Sequence, residues 1–218
     1  MFRPRSALAA LLILVALTAG CRSLIGAMGY YLHPRQIQKP EYEFPAKTRL
    51  AVLIDNALPR EENPMFNQAL LERFVEMLRD GGAKAEVLPL QPINDLRRAN
   101  PDFDQWSVQK IGRTLQADQV LHIKLDRLVI RESPDYPVLT PLVDLHMKLI
   151  AVNQPATTAR LWPKAKEGHA VHCTRQTAES TGTDSDDLEA VKLGHDTAYY
   201  VAMPFIEVDL EENPPVER

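Results

Sequence analysis

The sequence contains only two cysteines, Cys21 and Cys173, among its 218 residues. Cys21 ends an apolar leader and is expected to be modified there. Cys173 is then left without a partner, so the folded part must be stable without a disulfide. The roughly 170 residues beyond the leader and linker are enough for one ordinary domain with its own core. Cys173 stands in an alternating segment beside Val171, a pattern that favours a small buried hydrophobic residue.

The sequence also lacks an excess of basic residues. It has 25 Lys and Arg against 29 Asp and Glu, a formal net charge of -4. Removing residues 1–20, which contain Arg3 and Arg5 and no acid, lowers the charge by two, to -6. Such a domain would be repelled by nucleic acid, so no nucleic-acid partner is predicted. Residues 211–218 are predicted to form a solvated acidic tail.

Short motifs of catalysis are missing: there is no nucleophile elbow, zinc-binding helix pair, phosphate loop or calcium loop. Ser107–Lys110 fits the pattern S-x-x-K, but its companion motifs are absent, which favours a solvated polar pair on a helix. Asp184–Asp187 suggests a cation site, yet acids at a helix amino-terminus explain the cluster better. The chain is therefore predicted not to be an enzyme and to carry no cofactor.

His169, His172 and Cys173 are the best metal-ligand candidates. On a strand, His169 and Cys173 point to one face and His172 to the other, so only two ligands converge. Structural zinc takes four ligands and catalytic zinc three from the protein, so no metal site is predicted. The dispersed residues His122, His146 and His195 are interpreted as solvated or capping histidines.

The leader has the order of a secretion signal. Arg3 and Arg5 precede an apolar run, Ala7–Leu17, and small residues follow. The run is shorter than the roughly 20 residues of a spanning helix, although an uncleaved anchor is the alternative. Thr18-Ala19-Gly20-Cys21 resembles the lipobox of bacterial lipoproteins, with Thr18 where leucine is preferred. The resemblance implies that residues 1–20 are removed and that Cys21 carries acyl chains, which hold a protein on a membrane.

Residues 21–47 are predicted to be the lipidated cysteine and a tether. Glycines and three prolines interrupt this stretch, which shows no period of 2 or 3.6 residues. A flexible chain of that length spans about 28 Å, so the domain is expected near the membrane. Arg22, not aspartate, follows Cys21; by resemblance to the sorting rules of two-membrane bacteria, this implies the outer membrane, facing the periplasm.

Residues 48–210 are predicted to form one domain of the α/β or α+β class. The expected order is β-α-β-α-β, followed by antiparallel strands and a closing helix. The predicted strands are 49–55, 84–90, 119–130 with a bulge near Asp126 or Arg127, 142–152, 159–162, 168–174 and 205–210. The predicted helices begin at Asn63, Asp104 and Thr183 or Ser185; the last would bury Leu188, Val191, Ala198 and Ala202.

The segment Ile111–Ile123, in which a helix with Gly112 turns through Ala117-Asp118 into a long strand, resembles a recurring pattern. It is similar to the lipoprotein family of the curli-secretion channel CsgG, the penicillin-binding-protein activator LpoB and the amino-terminal domain of TolB. The resemblance covers most of residues 48–206 and implies an envelope protein in a multiprotein assembly. The Ser133–Thr140 connection is too short for the membrane hairpin of a pore.

Two functions are therefore expected. The first is a non-catalytic adaptor or assembly component of the envelope, anchored through Cys21 and working through protein–protein contact. The alternative is an auxiliary lipoprotein of a transport system that binds a lipid or small ligand, which predicts a roomy apolar cavity.

Overall fold

The computed structural model describes residues 37–56, 63–131, 140–175 and 186–209. The leader, Cys21, Arg22, the two proposed caps Thr183 and Ser185, and the tail 211–218 lie outside the described residues. The chain divides into two compact units. The larger one contains Gln38–Val208 and holds the features discussed below; of the smaller, the structure describes Ile37 and Asp209.

Eight strands and four α-helices are present in the described ranges, with single 3₁₀ turns at 103–105 and 203–205. The strands are β1 (Ile37–Gln38), β2 (Thr48–Asn56), β3 (Ala85–Val87), β4 (Gln119–Val129), β5 (Leu142–Ala151), β6 (Arg160–Trp162), β7 (His169–Thr174) and β8 (Val208–Asp209). The helices are α1 (Pro64–Asp80), α2 (Leu90–Ala99), α3 (Val108–Thr114) and α4 (Asp186–Ala202). Within these ranges, no helix combines the length and apolar character needed to cross a bilayer.

The main sheet has the order β3-β2-β4-β5, and both β6 and β7 pair with β5. β2 is parallel to β3 and β4, whereas β5 is antiparallel to β4, β6 and β7. β1 and β8 form a separate two-stranded sheet. The predicted fold class, a mixed sheet with crossover helices, later antiparallel strands and a closing helix, is confirmed.

The predicted bulge in β4 is also confirmed. Leu125 lies opposite Leu145 in β5, but the next pair joins Arg127 to Asp144, so Asp126 is the extra residue. The bulge explains why the apolar residues of this strand change phase, since one additional residue turns every later side chain to the other face. It also sends both Asp126 and Arg127 toward the outer, polar part of the sheet.

One face of the sheet, here called the inner face, packs on α1 and α4. Asn63 caps α1, its Oδ1 accepting from the Phe66 amide at 3.0 Å, and Gly82 follows the helix with φ +71°. The predicted start of α1 at Asn63 is thus confirmed. On α4, an added Cβ at Gly194 would lie 2.8 Å from the carbonyl oxygen of Phe66, so glycine lets the two helices touch closely.

The predicted buried stripe of α4 was partly wrong. Ala198 and Ala202 are buried, but Leu188 is 43% exposed and Val191 is half-buried. The contact instead uses small residues, because they permit the close approach of α1. The buried residues of α4 are Glu189, Ala190, Leu193, Gly194, Thr197, Ala198, Val201 and Ala202.

The opposite face, the outer face, is covered by α2 and α3 at one end only. There Ala51, Leu53 and Val120 of the sheet form a core with residues that include Ile93 and Ile111 of the helices. Gly112 lets α3 approach the sheet closely, since an added Cβ would meet Val152 Cγ2 at 2.5 Å and Val120 Cγ2 at 2.7 Å.

Between β3 and α3 the structure differs from the prediction in three ways, in the strand, in the connection and in the helix cap. β3 is only three residues long, and most of the ten-residue helix α2 falls in residues 91–104, for which the sequence predicts a polar connection with at most a helical turn near Leu96. Pro92 lies in the first turn of α2, where a missing amide hydrogen costs little. Asp104 lies in a 3₁₀ turn, and Ser107 caps α3 instead, its Oγ accepting from the Lys110 amide at 3.2 Å.

The packed region begins before residue 48, within the range assigned to the tether. Phe44 is buried, and its ring centroid lies 5.2 Å from that of Phe205. The Tyr42 hydroxyl accepts from Gln119 Nε2 at 2.9 Å, and the Glu41 carboxylate accepts from Trp162 Nε1 at 2.9 Å. Apolar contact and these two hydrogen bonds hold the segment on the sheet.

Candidate functional site

The rest of the outer face is polar. Beyond the end covered by α2 and α3, alternate residues of β4, β5 and β7 point outward and are half-buried or exposed. We call this region the polar face and define it by Asp55, His122, Lys124, Asp126, Arg127, Asp144, His146, Lys148, Ala170, His172 and Thr174.

Three histidine–aspartate pairs cross the polar face, each joining two neighbouring strands. His122 Nε2 donates to Asp55 Oδ2 at 2.8 Å, which links β4 to β2. His172 Nδ1 donates to Asp144 Oδ1 at 2.5 Å, which links β7 to β5. The third pair joins His146 of β5 to the bulged Asp126 of β4. A carboxylate can only accept, so these contacts fix which ring nitrogen carries hydrogen.

Two of these carboxylates also bind a permanent cation. Arg97 Nη2 lies 3.1 Å from Asp55 Oδ1, and Lys124 Nζ lies 3.1 Å from Asp126 Oδ1. Burial acts to raise the pKa of Asp126, but the hydrogen bonds from His146 and Lys124 outweigh it and lower the pKa below its ordinary value. Asp126 is therefore held as an anion by its neighbours.

The interpretation of His122 and His146 as isolated solvated or capping residues was wrong. Both bind carboxylates on adjacent strands, and the residues are far apart in sequence. The sequence did indicate that Asp144, His146 and Lys148 lie on one face of a strand, because polar and apolar residues alternate there. Their partners could not be predicted, because they depend on strand order and on the bulge.

The three predicted metal-ligand candidates lie in different surroundings. The ring of His169 packs against that of Trp162, with centroids 4.9 Å apart and a tilt of 37°, while His172 binds Asp144. Cys173 is buried on the inner face, and burial raises the pKa of its thiol to about 11. No group of three His, Cys, Asp or Glu side chains among the described residues could hold a metal ion.

The S-x-x-K pair has a structural explanation. The Ser107 hydroxyl oxygen caps α3, and the Lys110 ammonium lies 3.5 Å from the centre of the Trp106 ring. The lysine thus makes a cation–π contact. Of the acidic cluster, Asp184 and Ser185 lie outside the described residues, and Asp186 pairs with Arg131 at 2.8 Å.

One carboxylate is fully buried, and sequence reasoning missed it. Glu189 of α4 is 1% exposed. Lys192 Nζ lies 2.6 Å from its Oε1, and Arg175 Nε lies 3.6 Å from its Oε2. Arg175 also pairs with Asp196. Because Arg175 follows β7 directly, this network connects the sheet to α4 and is structural.

A second feature is an open groove of about 1060 Å³ between α1 and α2. It lies at the carboxyl ends of the parallel strands β2 and β3, whose connections go to opposite faces of the sheet. Ligands of open α/β sheets bind at such switch points. Its lining is mixed rather than apolar: Ile54 and Leu71 lie beside the amide of Asn67 and charged residues that include Glu72 and Arg79.

Comparison with known proteins identifies no family: no family model matches the sequence, and no curated protein matches it. Some solved structures are similar to it. The PelC dodecamer from Paraburkholderia phytofirmans is 16% identical, with 79% of this chain and 97% of that chain covered and a TM-score of 0.41. The lipoprotein GNA1162 from Neisseria meningitidis is 14% identical, with 72% and 99% covered and a TM-score of 0.42. The LpoB C-terminal domain from Salmonella enterica is 17% identical, with 62% and 86% covered and a TM-score of 0.33.

Proposed function

We propose that this protein is an envelope lipoprotein, anchored in the outer membrane by acyl chains on Cys21 and facing the periplasm. In this proposal residues 1–20 are removed and the domain acts as a non-catalytic adaptor through protein–protein contact. The leader sequence and Arg22 support the anchor and its membrane. The polar face supports the contact.

The polar face is the single observation that carries the adaptor function. Its side chains stand on strands, which hold binding groups more precisely than loops do. The three histidine–aspartate pairs tie four neighbouring strands together across this face. The result is a rigid, charged platform that has no role in the apolar core, which lies on the inner face and at the other end of the sheet.

The environment of the candidate nucleophiles supports a non-catalytic role. With a pKa of about 11, Cys173 is a thiolate in about 0.1% of molecules at pH 8, so it reacts slowly. The Ser107 hydroxyl is engaged as a helix cap rather than placed beside a base. Neither residue lines the polar face.

The adaptor proposal is tested by photo-crosslinking in cells with Cys21 intact. A photoreactive residue at Ala170, exposed on the polar face, is expected to capture an envelope protein. The same residue at His195, exposed on α4, is the matched control and is expected not to capture that protein. Identical adducts from both positions, or no adduct from Ala170, would contradict the proposal.

The groove favours a second candidate function, an auxiliary lipoprotein that binds a lipid or small ligand. Asn67 lines the groove, and its Oδ1 is buried without a hydrogen-bond partner among the described residues. The groove volume of about 1060 Å³ is that of a small-molecule site. Native mass spectrometry should then show a co-purified small molecule, and Val75→Trp, which fills the groove, should abolish it. Protein that carries no added mass would count against this function.

A further inference from the structure

We propose that the polar face binds an extended acidic segment of a partner protein, with Arg127 and Lys148 as the two principal contacts. The proposal rests on the adaptor function and names the chemistry of the partner. It follows from the ion pairs of the polar face: its carboxylates are paired with basic side chains, whereas two of its cations have no carboxylate partner among the described residues.

The carboxylates of the polar face are all engaged. Asp55 is bound by Arg97 and His122, and Asp126 by Lys124 and His146. Asp144 is bound by His172. A basic partner would have to compete with these contacts, so the face offers it little.

Two cations of the polar face have no carboxylate partner in the part of the chain that the structure describes. Lys148 lies opposite His122 in the register of β4 and β5, and Arg127 lies opposite Asp144. Within the described ranges, neither has a carboxylate within 4.0 Å. An anion that approached these residues would gain two charge-assisted hydrogen bonds without displacing an existing ion pair.

The spacing of the two cations fits an extended peptide. Arg127 stands beside Asp144, four residues from Lys148 along β5, which corresponds to about 13 Å at the rise of a strand. Acidic side chains four residues apart in an extended segment have the same separation and point to the same side. Such a segment can therefore place one carboxylate at each cation.

The charge of the whole chain favours a narrow segment over a membrane. The polar face and Arg97 together carry four permanent cations against three carboxylates, whereas the chain as a whole has a net charge of -4. A bilayer of anionic lipid is broad enough to face the rest of this acidic chain as well as the polar face, and the net negative charge would repel it. A peptide contacts the face alone.

The test uses the full-length lipidated protein in nonionic detergent and a fluorescent peptide of alternating glutamate and serine. Fluorescence anisotropy is expected to show binding at about 0.03 M salt that weakens strongly at about 0.3 M. The same peptide with glutamine in place of glutamate is expected not to bind. The double variant Arg127→Glu with Lys148→Glu should reduce the affinity for the acidic peptide by about tenfold or more.

The matched control reverses two exposed cations elsewhere, Arg73→Glu on α1 and Lys84→Glu before β3, and should bind like the parent. Equal loss in both double variants, or equal binding of the glutamate and glutamine peptides, would overturn the proposal. So would an affinity for glycerophosphoglycerol, the soluble headgroup of phosphatidylglycerol, that equals or exceeds the affinity for the peptide. Unchanged thermal unfolding of the variants shows that a loss of binding is not a loss of folding.

The experiments distinguish failure of the acidic-segment proposal from failure of the adaptor proposal. If Ala170 captures an envelope protein but charge reversal changes neither that adduct nor peptide binding, only the acidic-segment proposal is wrong. If the acidic peptide binds but no envelope protein is captured at Ala170, the adaptor function is wrong although the face recognises acidic chains.

Discussion

Replacing Cys21 with serine is expected to remove the protein from the outer-membrane fraction. The thiol is the attachment point of the acyl chains that the lipobox implies, and serine cannot form the thioether. Two or more acyl chains give stable anchoring where one chain is marginal, so the loss should be nearly complete. The product should also be larger than the parent protein, because residues 1–20 are expected to remain attached.

Density-gradient fractionation and mass spectrometry of the purified protein measure both effects. Cys173→Ser is the matched control: that thiol is buried on the inner face of the sheet, and its replacement should leave mass and fractionation otherwise unchanged. If Cys21→Ser and the parent agree in size and in fraction, the lipoprotein assignment is wrong.

Replacing Phe205 with alanine is expected to destabilise the domain by about 3–5 kcal/mol, the usual cost of removing a buried aromatic ring. Its ring is the centre of an aromatic cluster. The neighbouring centroids are those of Trp162 at 5.1 Å, Phe44 at 5.2 Å, Tyr42 at 6.4 Å and Phe74 at 6.5 Å. The ring thus connects the start of the domain, α1, the sheet and the chain after α4.

Urea denaturation followed by circular dichroism gives the free energy of unfolding of the variant and the parent. Leu188→Ala removes a large apolar side chain that is 43% exposed, and should cost less than about 1 kcal/mol. Similar values for the two variants would show that the cluster around Phe205 contributes little.

Local patterns predicted most of the fold. The continuous apolar run of β2, the four-residue repeat of α1 with its Asn63 cap, and the alternation in β5 each give one element with little ambiguity. α2 was missed because it has a single buried residue, Ile93, and a proline in its first turn. The stripe of α4 was misplaced because glycine and threonine are among its buried residues, and hydrophobicity gives them little weight.

The polar face could be predicted only in part. Outward-facing Asp144, His146 and Lys148 follow from alternation along β5, but their cross-strand partners follow from the sheet order and from the bulge at Asp126. His172 illustrates the limit: the sequence placed it opposite to Cys173, which is correct, yet its carboxylate partner lies 28 residues earlier. Long-range pairing of this kind is decided by topology, not by local composition.

The hydrogen bonds that hold the first residues of the domain against the chain after α4 have a mechanical consequence. The amides of Glu41 and Tyr42 both donate to the carbonyl oxygen of Pro204, at 2.8 and 3.0 Å. Tension applied to a chain anchored at Cys21 would reach these bonds and the ring of Phe44 before it reached β2. These contacts would then break first under tension, and the main sheet would remain folded.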